Sequence, residues 1–210
     1  ISEEMEPGTD EEGDESLRTR VQEKIAGPAE NGNIQHYKTW CEEVPGVGRA
    51  RIVPLWDGPN TVKGVLIDTD GAPASSAVVE RVQEYIDPGS TGLGEGVANI
   101  GAHFTAVAAT PFEVQISFSV TLAKGGVLSE VQAAAETALA QHIKEVNLTT
   151  SDGEAAILRI STVGNVIYAL PGVLDYTNLR FNGATANIEL TSEEVFTLGE
   201  VTVLETHALP

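Results

Sequence analysis

What this chain has little of narrows its chemistry. A single cysteine, Cys41, stands among 210 residues, so no intrachain disulfide can close and cysteine-based zinc sites lack their ligands. Its place on an apolar helical face points to packing rather than reaction. Basic residues are scarce: 12 Lys and Arg face 31 Asp and Glu, a formal charge of −19. Such a field repels nucleic-acid phosphates and anionic lipid surfaces, and suits either solubility or a basic protein partner. No apolar run reaches the ~20 residues needed to span a bilayer, and the N-terminus lacks a basic and apolar signal pattern. Neither nucleic acid nor membrane is an expected partner.

Reactive constellations are missing too. His36, His103, His142 and His207 share no metal-ligand spacing, and no Gly-x-Ser-x-Gly elbow occurs. Gly92, Gly94 and Gly96 follow a helical pattern and precede a strand, the reverse of a phosphate-binding order, and read as a flexible connector. Asp68, Asp70 and Gly71 look like half of a calcium loop whose other ligands are absent, which leaves an acidic turn. Glu42 and Glu43 read as solvated carboxylates at a helix end. No catalytic residue, cofactor site or metal site is expected, and a hydrolase assembled only by folding ranks last.

Against these absences, 41% hydrophobic and 20% charged residues specify a chain that folds. Its length lies near the border between one domain and two small ones, and two compact units are expected. Eight acidic residues, from Glu3 to Glu15, precede the first basic one, Arg18. Residues 1–15 therefore read as an acidic linker, and the chain as the C-terminal part of a longer polypeptide. The two units are expected over 16–110 and 111–210, with Pro111 at the boundary.

Leu17, Val21 and Ile25 recur at helical spacing before Gly27-Pro28. Asn31-Gly32-Asn33 then offers a turn and an N-cap for a helix carrying Ile34, Tyr37, Cys41 and Val44, ended by Pro45-Gly46. Arg51 to Trp56 and Thr61 to Thr69 form a hairpin about Asp57-Gly58-Pro59-Asn60. A helix capped by Ser75 or Ser76 carries Val78, Val79, Val82, Tyr85 and Ile86, and His103 to Ala109 is a further strand.

Val114, Ile116, Phe118, Val120 and Leu122 alternate with Gln115, Ser117, Ser119 and Thr121, the period of a half-buried strand. Ser129 and Gln132 have capping-box spacing at the head of a long helix bearing Val131, Ala135, Ala138, Leu139, Ile143 and Val146. Residues 155–170 predict a short strand and then a helix. Leu170-Pro171-Gly172-Val173 repeats Val44-Pro45-Gly46-Val47, an echo that suggests two distantly similar modules. Strands near Val173 to Phe181, Asn187 to Leu190 and Glu200 to Leu204 follow, with Asn182-Gly183 as a hairpin turn. The expected fold is α+β: two small consecutive modules, each with helices on a small mixed or antiparallel sheet. Strand edges and one sheet face should remain free for neighbours.

The run from Glu43 to Val62, Tyr85-Ile86-Asp87-Pro88, the strand Val114 to Leu122, the run Leu170 to Leu179, and Gly199-Glu200-Val201-Thr202-Val203 occur in one order. Together they resemble the C-terminal part of the baseplate J-like proteins of contractile-tailed phages and phage-like prophage particles, over roughly Ser16 to Leu204. The resemblance implies a non-enzymatic wedge subunit of a tail baseplate, made in the bacterial cytoplasm and present in several copies among other baseplate and tail proteins. It also implies a further N-terminal region. The interface candidates are Trp40, Trp56, Tyr85 and Tyr176, with core packing as their competing role. Arg49 and Arg51 would pair with carboxylates of an adjacent subunit or of this one. The alternative class is a non-catalytic module that takes a peptide or small ligand at a sheet edge.

Overall fold

A computed structural model describes Arg18, residues 32–150 and residues 155–206. Apart from Arg18, the helix expected over Leu17 to Ile25 lies outside these residues, as does the acidic linker. The described chain forms two α+β modules in sequence, each with a three-stranded mixed sheet.

In the first module, α1 (Ile34–Glu42) starts at Asn33, whose side-chain oxygen accepts the His36 N–H at 2.8 Å. Gly46, at φ +99°, turns the chain after Pro45 into β1 (Val47–Pro54). β1 runs antiparallel to β2 (Thr61–Asp68), and α2 (Ser76–Ile86) crosses over to β3 (His103–Ala108), parallel to β2. Ala50, Leu66, Phe104 and Ala106 meet Trp40 and Cys41 from α1 and Val78, Val82 and Ile86 from α2 in one core. Tyr37 stacks on Phe104 at 5.7 Å between ring centroids. That ring stands 2.6 Å from where a Cβ on Gly64 would be, which explains a glycine in the central strand.

The second module runs β4 (Thr110–Leu122), α3 (Leu128–Thr149), β5 (Ile157–Leu158), α4 (Ile160–Tyr168), β6 (Val173–Phe181), β7 (Ile188–Glu189) and β8 (Glu194–Glu205). β4 is central, antiparallel to β6 and parallel to β8, while β5 and β7 form a small separate pair. Val114, Ile116, Phe118 and Val120 face Val131, Ala135, Leu139 and Ile143 of α3 and Val163 and Ile167 of α4.

Four expectations need correction. β8 begins at Glu194, before the expected Glu200, because Val195 and Phe196 pair with Pro111 and Phe112. Ala109 alone separates β3 from β4. Asn182-Gly183 turns tightly, both at positive φ, but closes only the Phe181–Ala184 bridge; the following strand pairs with β5. The capping box does not form, since α3 starts at Leu128 without a side-chain cap and Gln132 bonds elsewhere. Finally, the first sheet has no free second face at its centre. Val65 and Ile67 of β2 are buried there with Ala109 and Val195, so the second module supplies the cover.

The repeated Pro-Gly-Val step has a structural counterpart. In both modules a helix, that step and an antiparallel edge strand lie beside a central strand, with a parallel strand on the other side. The connectivity differs. α1 and β1 precede the central strand, whereas α4 and β6 fall between the crossover helix α3 and the parallel strand β8.

Candidate functional site

Among the described residues no three His, Cys, Asp or Glu side chains are grouped to hold a metal ion, and no helix is long and apolar enough to cross a membrane. The informative places are the sheet edges, the glycine-rich loop and the joint between modules.

Two edges are closed by glutamines used in the same way. Gln83 of α2 donates to the Phe104 carbonyl at 2.9 Å and accepts the Ala106 N–H at 2.8 Å, along the outer edge of β3. Gln132 of α3 donates to the Val201 carbonyl at 2.6 Å and accepts the Val203 N–H at 3.2 Å, along the outer edge of β8. A side-chain amide carries a donor and an acceptor, as a peptide group does, and so stands in for the missing neighbour strand. Further along β8, Asn147 does the same for both backbone groups of Phe196. On β1, Glu42 accepts the Ala50 N–H at 3.1 Å, and Pro54 has no N–H to offer. The expected free edges are therefore corrected at β3 and β8. β6 differs: it carries Leu174, 61% exposed, and a register shift beside Asn178 at φ +58°.

The glycine-rich loop is strapped down rather than loose. The buried Asp87 carboxylate accepts the N–H of Gly92 at 3.1 Å and of Phe104 at 3.0 Å. Val97 and Ala98 donate to the carbonyls of Tyr85 and Ile86, and a Cβ on Gly96 would stand 2.5 Å from the Ile86 oxygen. The Tyr85-Ile86-Asp87-Pro88 stretch is thus a knot holding loop, helix and β3 together. Sequence reasoning set Asp87 in the stretch Tyr85-Ile86-Asp87-Pro88 but gave it no role; its local signal was an acidic residue between a helix end and a proline. Asp68 accepts the N–H groups of Asp70 and Ala72 at 2.9 and 2.8 Å, the geometry of an acidic turn.

This architecture meets its relatives at two levels. The baseplate J-like central domain matches residues 29–108, and the baseplate J-like protein C-terminal domain matches residues 114–204. The chain belongs to the baseplate J-like family. It is 38% identical over 205 residues to the phage-like element PBSX protein XkdT of Bacillus subtilis, covering 98% of this chain and 57% of that protein. Over 82 residues it is 38% identical to baseplate protein gp47 of Escherichia phage Mu, covering 38% of this chain and 22% of that protein. A chain in the cryo-EM structure of the anti-feeding prophage baseplate, 6-fold symmetrised, shares the fold at 14% identity with a TM-score of 0.61, over 90% of this chain and 42% of that one. The chain thus spans somewhat more than half the length of its Bacillus relative.

In this baseplate J-like chain the six candidate interface residues do not form one patch. Trp40 is buried in the first core, with the His36 ring 3.8 Å away. Beside it Cys41 is fully buried, and burial pushes its thiol well above the ordinary value. Arg51 is buried and donates to the carbonyls of Glu194 at 2.7 Å and Ser192 at 3.5 Å, backbone oxygens of the second module. Arg49 is half-buried on the same strand. Trp56, 42% exposed, lies under the Lys63 ammonium, 4.5 Å from ring centroid to nitrogen, and that ammonium bonds Glu193. Tyr85, on the outer side of α2, donates to Glu43 at 3.2 Å; partial burial and that carboxylate raise its phenol above the ordinary value. Tyr176 is half-buried, its hydroxyl against Gly164 of α4. Arg51 and Trp56 thus converge on the joint, while Tyr85 and Tyr176 lie on separate surfaces.

Proposed function

We propose that this chain is a structural, non-catalytic part of a contractile-tail baseplate, the wedge subunit of a phage or phage-like particle. In that role several copies assemble with other baseplate and tail proteins. The observation that carries the reading is the pair of consecutive baseplate J-like domains, central then C-terminal, along one chain. The similarity to a phage-like element protein and the shared fold with a baseplate chain support it. Within this reading, Pro111 marks the division between the modules, and Trp56, Tyr85 and Tyr176 remain the exposed or half-exposed aromatics through which neighbours would be met. Heterologous contacts repeated around a ring suit a protein whose strand edges are mostly closed to unselective pairing.

Mass spectrometry of purified contractile-tail particles from the source cells tests this. Peptides of this chain in stoichiometric amounts beside sheath and tube proteins are expected. Their absence from intact, baseplate-bearing tails would overturn the proposal.

A further inference from the structure

The two sheets are linked covalently through one residue, Ala109. A single-residue link fixes a point and leaves rotation about it, and modules joined that way move relative to each other unless other contacts forbid it. Here contacts lie on two sides of the link. On one side Arg51 reaches the Glu194 and Ser192 carbonyls, and Lys63 bonds Glu193, so β1 and β2 both grip the segment leading into β8. On the other, buried Asn147 of α3 donates at 2.8 Å to both the Gly71 carbonyl of the first module and the Phe196 carbonyl of the second. Gly71 sits so close to α3 that a Cβ there would stand 3.1 Å from the Lys144 Cα, and Lys144 bonds Asp70 at 2.9 Å. Val65, Ile67, Ala109 and Val195 are buried together between these grips, with Val53, Val107 and Leu148 packed against them.

We infer that this joint is a two-sided latch that fixes the modules at one angle, so that residues 32–150 and 155–206 turn as a single arm. Rotation about Ala109 in any direction opens one side. Opening the first strips Arg51, a buried guanidinium, of its carbonyl acceptors; opening the second leaves buried groups of Asn147 and Gly71 unpaired. Neither loss is replaced by water while the apolar centre stays closed. The latch stands on the geometry of this chain alone. Its consequence for a baseplate, that a rotation imposed on one module displaces the other without loss at the joint, rests on the proposed function.

Electron–electron dipolar spectroscopy on the full chain tests it, with nitroxides on Glu84→Cys in α2 and Ala140→Cys in α3, both exposed positions. Cys41 stays as it is, since its burial keeps it unlabelled in the native state. One narrow distance peak is expected, broadening about twofold in the Arg51→Met/Lys63→Met variant as the joint hinges about its remaining side. A broad or multi-peaked distribution in the parent chain would overturn the latch, and that result needs no variant. An unchanged width in a folded double variant would overturn it equally.

Discussion

Replacing Asn147 by Ala removes a side chain that is fully buried and serves three backbone groups: the carbonyls of Gly71 and Phe196 and the Phe196 N–H. Leaving one such buried group unsatisfied costs about 1–3 kcal/mol, and partial entry of water keeps three from summing to the maximum, so about 3–6 kcal/mol is expected. That is a large share of the ~5–15 kcal/mol by which a folded chain is stable. At ~2–4 °C per kcal/mol for a chain of this size, the melting temperature should fall by roughly 6–24 °C in calorimetry or near-ultraviolet dichroism. Because Asn147 ties both modules, the parent is expected to melt in one transition and the variant in a split or broadened one. Asn147→Asp keeps the shape and the acceptor for the Phe196 N–H but puts one carboxylate oxygen, in place of the amide nitrogen, against both carbonyls, and should cost about as much near neutral pH. Lys144→Ala is the control: it removes the Lys144–Asp70 pair next to the same turn, whose Asp70 side chain is 81% exposed, and should cost no more than ~1 kcal/mol. If Asn147→Ala melts with Lys144→Ala, the hydrogen-bond account of this site is wrong.

Gly64→Ala should destabilise by about 1–3 kcal/mol in urea titration, since the new methyl meets the Phe104 ring and, at 3.3 Å, the Cys41 sulfur; a neutral or stabilising change would show that the core yields there. Cys41 should resist a thiol-disulfide reagent in the native protein and react fully in denaturant, and rapid native labelling would contradict its burial. The Glu194 carboxylate accepts the N–H and hydroxyl of Thr191, which lowers its pKa. The stabilisation is therefore present above the ordinary carboxylate value of about 4.3 and lost as pH falls through the lowered one. An NMR titration should find Glu194 below the ordinary value and rising in Thr191→Val; a value at or above it in the parent would refute the contact. Gln132→Leu should cost about 1–3 kcal/mol by leaving Val201 and Val203 unpaired, and should promote concentration-dependent association seen by light scattering. Unaltered stability and a monomeric scattering profile would show that the glutamine does not guard β8.

Local periodicity made most of the elements readable. The alternation from Val114 to Leu122 marked β4 because one face of that strand is core, and Pro-Gly after Val44 and Leu170 marked both turns because few residues adopt Gly46 and Gly172 geometry. What the sequence concealed depends on distant partners. Gln132 has ideal capping-box spacing, yet its amide goes 71 residues away to Val203. Asp87, Asn147 and Arg51 look like solvated polar residues until the fold brings buried backbone groups within reach, and nothing local announces that. The start of β8 was hidden for the same reason, since Val195 and Phe196 gain strand partners only from β4. The candidate interface was the least legible part, because an exposed aromatic and a buried one carry the same letter: Trp40 proved to be core and Trp56 a surface stack on Lys63.

The edge glutamines bear on why one structural plan appears twice with different connectivity. A parallel strand added at a sheet edge presents a row of backbone groups, and in each module the helix that crosses over to reach it also supplies the amide that closes it. That solution depends on where helix and strand lie in space and not on the order in which the chain visits them, so moving the helix–Pro-Gly-Val–strand unit leaves it intact. Under the proposed function, with many copies concentrated around one axis, unselective strand pairing would compete with ordered assembly. Closing β3 and β8 removes two sites for it, while Pro54 and Glu42 blunt β1. The remaining edge, β6, is bulged at Asn178, which twists it away from a flat partner and limits what can add there. In that proposed assembly, contacts with neighbours would fall to side chains, which can specify a partner, rather than to backbone edges, which cannot.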